Sequence, residues 1–180
     1  MSQAIDERRE KYAECHMKEW YWLTNLPGFG YKKLSVLKNM CEDIGELYEL
    51  EKNIGYDKAD ELLKQLFIAS DMTWSEKEKD VFFDGELRKI INMKYEKLVN
   101  SDVNMVSIES EEYPERLRDI FDAPYILYYR GTLPVNDRKT AAVVGARACS
   151  EYGRSMAKDI GRQLAECGVQ VVSGFARGID

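Results

Sequence analysis

The sequence has little of what metal sites and disulfide frameworks require. It contains four cysteines and one histidine in 180 residues, and no two cysteines form a C-x-x-C pair of the kind that binds zinc or cycles between redox states. We therefore expect no metal site. We interpret the cysteines as buried free thiols of a cytoplasmic protein, since the cytosol keeps thiols reduced. They are Cys15, Cys41, Cys149 and Cys167.

Long apolar runs are also missing. The longest stretches, such as residues 141–144, are far too short to cross a bilayer. Residues 6–10 are all charged, although a signal peptide would carry an apolar segment near this place. We expect a globular protein without a membrane segment, as 44% hydrophobic and 32% charged residues also indicate.

The net charge of −6 argues at first against a nucleic-acid partner. The charge is unevenly spread, however. Residues 134–180 carry seven Lys or Arg against five Asp or Glu, a balance of +2 that leaves −8 for the rest. Because an anionic ligand responds to the local field, a basic segment within an acidic chain remains compatible with one.

The first hundred residues have the periodicity of helices. Apolar side chains recur at helical spacing over residues 31–40 and 57–70. A third helix is predicted over residues 75–98, with Ser75 as its N-cap. We therefore expect an all-α domain over residues 1–100.

A short Gly- and Pro-containing turn, residues 26–30, lies between two of the predicted helices. It looks like a helix-hairpin-helix turn, whose glycines can present N–H groups to a DNA phosphate. We favour an ordinary joint between helices, then a protein-docking role, then direct DNA contact, because the surrounding residues are acidic. We interpret the neighbouring aromatic residues Trp20, Tyr21 and Trp22 as core and not as a stacking platform.

The pattern changes after residue 100. Residues 104–108 and 125–129 are short β-favouring segments. Residues 141–144 and 169–172 are unbroken apolar runs, as in parallel strands that are buried on both faces. An amphipathic helix lies between these two runs, which together predict a βαβ unit.

The helix of this unit has clear start and stop signals. Ser150 can cap its first turn, and Gly168 can adopt the left-handed conformation that ends a helix. The loop before Ser150 joins the first strand to the helix, where ligands of open parallel sheets bind. We therefore place the candidate site in the two loops that follow the strands.

These loops lack the requirements of a dinucleotide site. The G-x-G-x-x-G fingerprint needs a second glycine for close approach of the pyrophosphate, and Arg147 occupies that position. A nicotinamide site also needs an acidic residue after the next strand, where Ser173 and Gly174 stand. We therefore predict no NAD or other cofactor.

The same loops suit a phosphodiester. The guanidinium of Arg147 can bind two phosphate oxygens and stack on a base. The second loop adds a hydroxyl, two glycines, Phe175 and Arg177, which are components of a single-strand binding surface. The glycines also have the alternative role of only turning the chain. We interpret Phe175 as a core residue and Arg147 as a binding residue.

The stretch AAVVGARACSEYGRSMAKDIGRQLAECGVQVVSGFARGID closely resembles the DNA-processing protein A (DprA, also called Smf) family. That family has a strand ending in V-G-[TS]-R, a Y-G helix and a strand ending in S-G-x-A-x-G-I-D. The upstream EYPERL and APYIL segments resemble its lead-in. Ala146 is a departure, because the family usually has Thr or Ser there.

The resemblance implies a non-enzymatic protein of natural transformation, without catalytic residues. Such proteins bind and protect incoming single-stranded DNA and load the RecA recombinase onto it, and we expect a homodimer. Five positions match the DNA-binding loops of the family, and charge and location add a sixth, Arg177. The five are Gly145, Arg147, Ser173, Gly174 and Gly178.

The fold class that follows is α/β. Residues 1–100 are expected to resemble SAM or helix-hairpin-helix domains, and residues 101–180 to open a Rossmann-like parallel sheet. We expect that second domain to be incomplete, because only one βαβ unit is visible. The alternative function is a nucleoside monophosphate phosphoribohydrolase-like enzyme of related fold, for which a P-G-G-x-G-T-x-x-E signature would have to follow.

Overall fold

A computed structural model describes residues 2–180. The chain packs as two units, one extending to Leu133 and the other spanning Pro134–Asp180. Helices and strands are both present, in agreement with an α/β protein, and the strands form two separate two-stranded sheets.

The first unit is mainly helical. Its helices are α1 (Ser2–Glu14), α2 (Met17–Thr24), α3 (Tyr31–Met40), α4 (Ile44–Tyr48), α5 (Leu50–Ile54), α6 (Tyr56–Ala69), α7 (Glu76–Phe83), α8 (Gly85–Val99) and α9 (Glu115–Arg118). Its strands are β1 (Asn104–Ser107) and β2 (Ile126–Tyr129). The predicted helices over residues 31–40 and 57–70 are thus confirmed as α3 and α6.

The predicted single helix over residues 75–98 is wrong. The chain leaves the helical conformation at Asp84, where ψ is 101°. The Asp84 carboxylate accepts hydrogen bonds from the backbone N–H groups of Glu86 and Leu87, at 2.9 and 3.0 Å. These bonds satisfy two donors at the start of α8, so an N-cap divides the segment into α7 and α8.

Helix α2 supplies the centre of the first core. Trp20 and Trp22 are fully buried and Tyr21 nearly so, which confirms the prediction that these rings are core. Trp22 packs edge-on against Phe82, with ring centroids 5.2 Å apart. The guanidinium of Arg88 lies 4.8 Å from the Trp22 ring centroid, a cation–π contact that covers the indole.

Strands β1 and β2 also pack against this core. They pair antiparallel, with Ser107 opposite Ile126. The Trp20 ring stacks on Tyr125 at 5.2 Å, and the backbone N–H of Met105 donates to the Tyr12 hydroxyl at 2.7 Å. These contacts explain why the first unit extends to Leu133, beyond the point near residue 100 where helix gives way to strand.

The second unit is the predicted βαβ arrangement. It contains β3 (Thr140–Ala142), α10 (Glu151–Glu166) and β4 (Gln170–Val172), and the two strands pair in parallel. The Ser150 hydroxyl accepts from the Gly153 N–H at 3.1 Å, as an N-cap does. Gly168 has the predicted left-handed conformation, with φ 73°.

The second unit has no enclosed core. Every residue from Pro134 to Asp180 is at least partly exposed. The prediction of buried thiols is wrong for Cys167, which is exposed at the end of α10, and Cys15, Cys41 and Cys149 are only partly buried. No helix within residues 2–180 is long and apolar enough to span a bilayer.

Candidate functional site

The candidate site is formed by two loops at one edge of the parallel strand pair. Loop 1, residues 143–150, follows β3, and loop 2, residues 173–180, follows β4. Because β3 and β4 run in the same direction, both loops leave the sheet at the carboxyl ends of the strands. All six predicted binding residues lie in these two loops.

The two loops interlock at Gly178. A Cβ atom on Gly178 would lie 2.3 Å from the carbonyl oxygen of Ala146 and 2.7 Å from the Cα of Arg147. Its φ of 122° is also one that residues with side chains rarely adopt. Beside it, the Ile179 N–H donates to the Ala146 carbonyl at 3.3 Å. Glycine is therefore required here for loop 2 to approach the backbone of loop 1.

Asp180 of loop 2 forms one hydrogen bond to loop 1 and another within its own loop. Its carboxylate Oδ1 accepts from the backbone N–H of Gly145 at 2.9 Å. Its backbone carbonyl accepts from the hydroxyl of Ser173, also at 2.9 Å. The N–H of Gly145, a predicted binding residue, is thus occupied in this structure by a carboxylate of the same chain.

Two further glycines provide space within the loops. A Cβ on Gly145 would lie 2.8 Å from the Ile179 side chain, and one on Gly174 would lie 3.0 Å from the Asp180 carboxylate. Their structural role is therefore close packing of the loops.

The two predicted arginines meet at one open cavity. A space of about 550 Å³ is lined by Arg147 and Ala148 of loop 1 and by Ala176 and Arg177 of loop 2. Within the described residues 2–180, neither guanidinium forms an ion pair or a hydrogen bond. Two unneutralised cations thus border the same space, which favours an anionic ligand.

Phe175 is the clearest failure of the sequence prediction in this region. It was expected in the core, yet the residue is 97% exposed. Its φ is 52°, and its N–H donates to the Ser173 hydroxyl at 3.3 Å. The ring belongs to a tight turn of loop 2 that no second layer of this unit covers, so it is available for contact with a ligand.

A second basic cavity lies in this unit and was not predicted from the sequence. A space of about 370 Å³ lies between α10 and loop 2 and is lined in part by Arg154, Lys158, Ser173 and Asp180. The only available signal was the four-residue spacing of Arg154 and Lys158, which places both on one face of α10.

The helix-hairpin-helix-like turn of the first unit has different surroundings. Phe29 is buried, and Lys33 donates to the Gly28 carbonyl at 3.2 Å and to the Glu78 carboxylate at 2.5 Å. The ion pair with Lys33 holds the pKa of Glu78 below its ordinary value. This lysine is therefore already neutralised, as expected if the turn serves to join α2 and α3.

Metal ligands are not grouped in the described part of the chain. Across residues 2–180, no three His, Cys, Asp or Glu side chains lie together in a way that could hold a metal ion. The candidate site in loops 1 and 2 is therefore built from backbone groups, glycines, two arginines, one hydroxyl and one exposed ring.

Comparison with known proteins agrees with the resemblance inferred from the motifs. Residues 104–180 match the family model described as DNA recombination-mediator protein A. Protein Smf of Borreliella burgdorferi is 32% identical over 92 residues, which are 51% of this chain and 29% of that protein. DNA processing protein DprA of Streptococcus pneumoniae is 42% identical over 74 residues, 41% of this chain and 26% of that protein.

The chain thus aligns with less than a third of the length of these curated relatives. A solved structure of DNA processing protein A from Streptococcus pneumoniae is also similar, at 23% identity and a TM-score of 0.38, over 82% of this chain and 50% of the other. That structural likeness is too distant to assign the fold. The predicted resemblance to the DprA/Smf family is confirmed by the family match and the named relatives.

Proposed function

Since residues 104–180 match the family of DNA recombination-mediator protein A, we propose that this chain carries part of a single-stranded DNA-binding site used in DNA processing. The site consists of loops 1 and 2, on what we take to be the opening of a Rossmann-like sheet. Gly145, Ser173, Gly174 and Gly178 shape the loops, and Arg147 and Arg177 bind phosphates.

The observation that supports this proposal most strongly is the cavity shared by Arg147 and Arg177. Phosphate contacts from arginine supply most of the affinity for a nucleic-acid backbone, and they need cations that no carboxylate of the protein has neutralised. Both arginines meet this requirement within the described chain.

A preference for single strands follows from Phe175. Its ring is almost fully exposed on the same loop as Arg177. A single strand can stack a base on such a ring while its phosphates contact the arginines. A duplex hides the faces of its bases, so only the phosphate contacts would remain.

We propose a non-enzymatic role. The alternative function, a nucleoside monophosphate phosphoribohydrolase, is based only on the related fold of those enzymes. The family that matches residues 104–180 is instead described as a DNA recombination mediator, which favours the DNA-binding role. By resemblance, the whole protein protects incoming DNA during natural transformation, loads the RecA recombinase, acts in the cytoplasm and forms a homodimer. Support for these activities comes from the relatives named DprA and Smf.

The test is the salt dependence of DNA binding by the complete gene product. Arg147→Ala should weaken binding of a single-stranded oligonucleotide and reduce the slope of log K against log salt by about one, as for one lost phosphate contact. Arg162→Ala is the matched control, because Arg162 pairs with Asp159 and Glu166 on α10, outside the loops. Arg147→Ala behaving like Arg162→Ala in affinity and slope would exclude Arg147 from the site.

A further inference from the structure

Asp180 of loop 2 forms one hydrogen bond to loop 1 and one to the start of its own loop. Its carboxylate accepts from the Gly145 N–H, 35 positions earlier, and its carbonyl accepts from the Ser173 hydroxyl. We propose that Asp180 is a positioning residue, which holds loops 1 and 2 at the spacing that Arg147 and Arg177 need to bind one strand of DNA. This inference rests on the proposed function of the loops.

The structure gives these hydrogen bonds unusual importance. Among the described residues, the loops meet through the Ile179 side chain beside Gly145, the Ile179 N–H bond to the Ala146 carbonyl and the Asp180 carboxylate. A hydrogen bond from a backbone N–H to a carboxylate is shorter and stronger than one between neutral groups. The Asp180 bond to Gly145 therefore joins the two loops whose arginines, Arg147 and Arg177, line one cavity.

The charge of Asp180 makes the proposal sharply testable. A carboxylate close to a DNA-binding site repels phosphates, and Asp180 lines a cavity together with the cations Arg154 and Lys158. If Asp180 acted only through its charge, then its removal would strengthen DNA binding. If Asp180 positions the loops, then removing its carboxylate bond to Gly145 weakens DNA binding although a negative charge is lost. The two roles predict effects of opposite sign.

The experiment compares Asp180→Ala with Asp180→Asn in the complete gene product, with a single-stranded oligonucleotide as the probe. The amide oxygen of asparagine still accepts from the Gly145 N–H, so Asp180→Asn should bind at least as tightly as the natural protein. Asp180→Ala should bind about tenfold more weakly, as for the loss of one charge-assisted hydrogen bond. Asp159→Ala is the control, since it removes the same charge from the outer face of α10.

Amide exchange at Gly145 gives a second, direct measurement. The Gly145 N–H should be protected in the natural protein and in Asp180→Asn, and it should exchange faster in Asp180→Ala. Should Asp180→Ala not fold, Ser173→Ala removes the hydrogen bond that holds the Asp180 backbone within loop 2, and it should speed exchange at the Gly145 N–H.

Tighter or unchanged DNA binding by Asp180→Ala would overturn the positioning role, as would an Asp180→Asn protein as weak as Asp180→Ala. Failure of this inference is distinguishable from failure of the proposed function. If Arg147→Ala weakens binding and Asp180→Ala does not, only the role of Asp180 is lost. If Arg147→Ala has no effect, the DNA site itself is wrong.

Discussion

Gly178 offers the most stringent test of the loop geometry. Substitution by alanine would place a Cβ atom 2.3 Å from the carbonyl oxygen of Ala146 and 2.7 Å from the Cα of Arg147. Both obstacles are backbone atoms, which cannot rotate away as the end of a flexible side chain can. Loop 2 must therefore move away from loop 1, or the backbone of loop 1 must shift.

The cost can be worked from two contributions. Forcing a residue with a side chain to a positive φ costs about 1–2 kcal/mol. Overpacking against neighbours that cannot relax costs roughly 1–3 kcal/mol more. A combined penalty of about 2–5 kcal/mol is as large as the contribution of the two hydrogen bonds between the loops, at about 1–3 kcal/mol each. We therefore expect the loops to separate while the first unit stays folded.

The assay is single-stranded DNA binding together with amide exchange in loop 1. Gly178→Ala should lower the affinity by at least tenfold, the factor that corresponds to about 1.4 kcal/mol, and should speed exchange at Gly145. Gly161→Ala is the matched control: this glycine lies inside α10 with open space at its Cβ position, and alanine there should stabilise the helix by roughly 0.5–1 kcal/mol. Equal DNA affinity of the two variants would refute the interlocking of the loops.

Three further predictions concern the stability of the chain. Asp84→Ala should lower the unfolding free energy of the first unit by about 1 kcal/mol, through loss of the α8 N-cap; urea denaturation measures this against the exposed control Asp80→Ala. Burial raises the pKa of the Tyr95 hydroxyl above its ordinary value of 10.0. Because this hydroxyl ionises more readily in the unfolded chain, the unfolding free energy should fall as pH rises above about 10. Tyr95→Phe should make this fall shallower, and a pH profile identical to that of the natural protein would contradict the prediction. In the 180-residue chain, amides of residues 134–180 should exchange faster than those of α2, because the second unit has no buried residue; uniformly strong protection of both would show that this reasoning is wrong.

The ends of a helix could be predicted from the sequence where a capping residue stood at each end. Ser150 and Gly168 marked the two ends of α10, and both have the expected geometry. Asp84 was missed because apolar periodicity continued across it, although an aspartate followed by Gly85 is also a typical helix start. In that segment the side-chain hydrogen bonds of a cap outweighed the periodicity.

The site was predictable only in part. Motif and charge predicted that Arg147 and Arg177 lie near each other, and both line one cavity, because the ends of parallel strands share an edge. The exposure of Phe175 depends on which layers cover loop 2, and an isolated hydrophobic residue carries no information about that. The bond between Asp180 and Gly145 joins positions 35 residues apart, and neither residue type alone indicates it.

The packing of β1 and β2 on α2 has a consequence for dividing the protein. The family-matched segment starts at residue 104, yet residues 104–133 complete the helical unit. A cut at residue 100 would remove Tyr125 from Trp20 and the Met105 N–H from Tyr12, leaving a large aromatic surface open to water. The start of the family match and the boundary of the packing unit therefore fall at different places, and a helical piece meant to fold alone has to extend to Leu133.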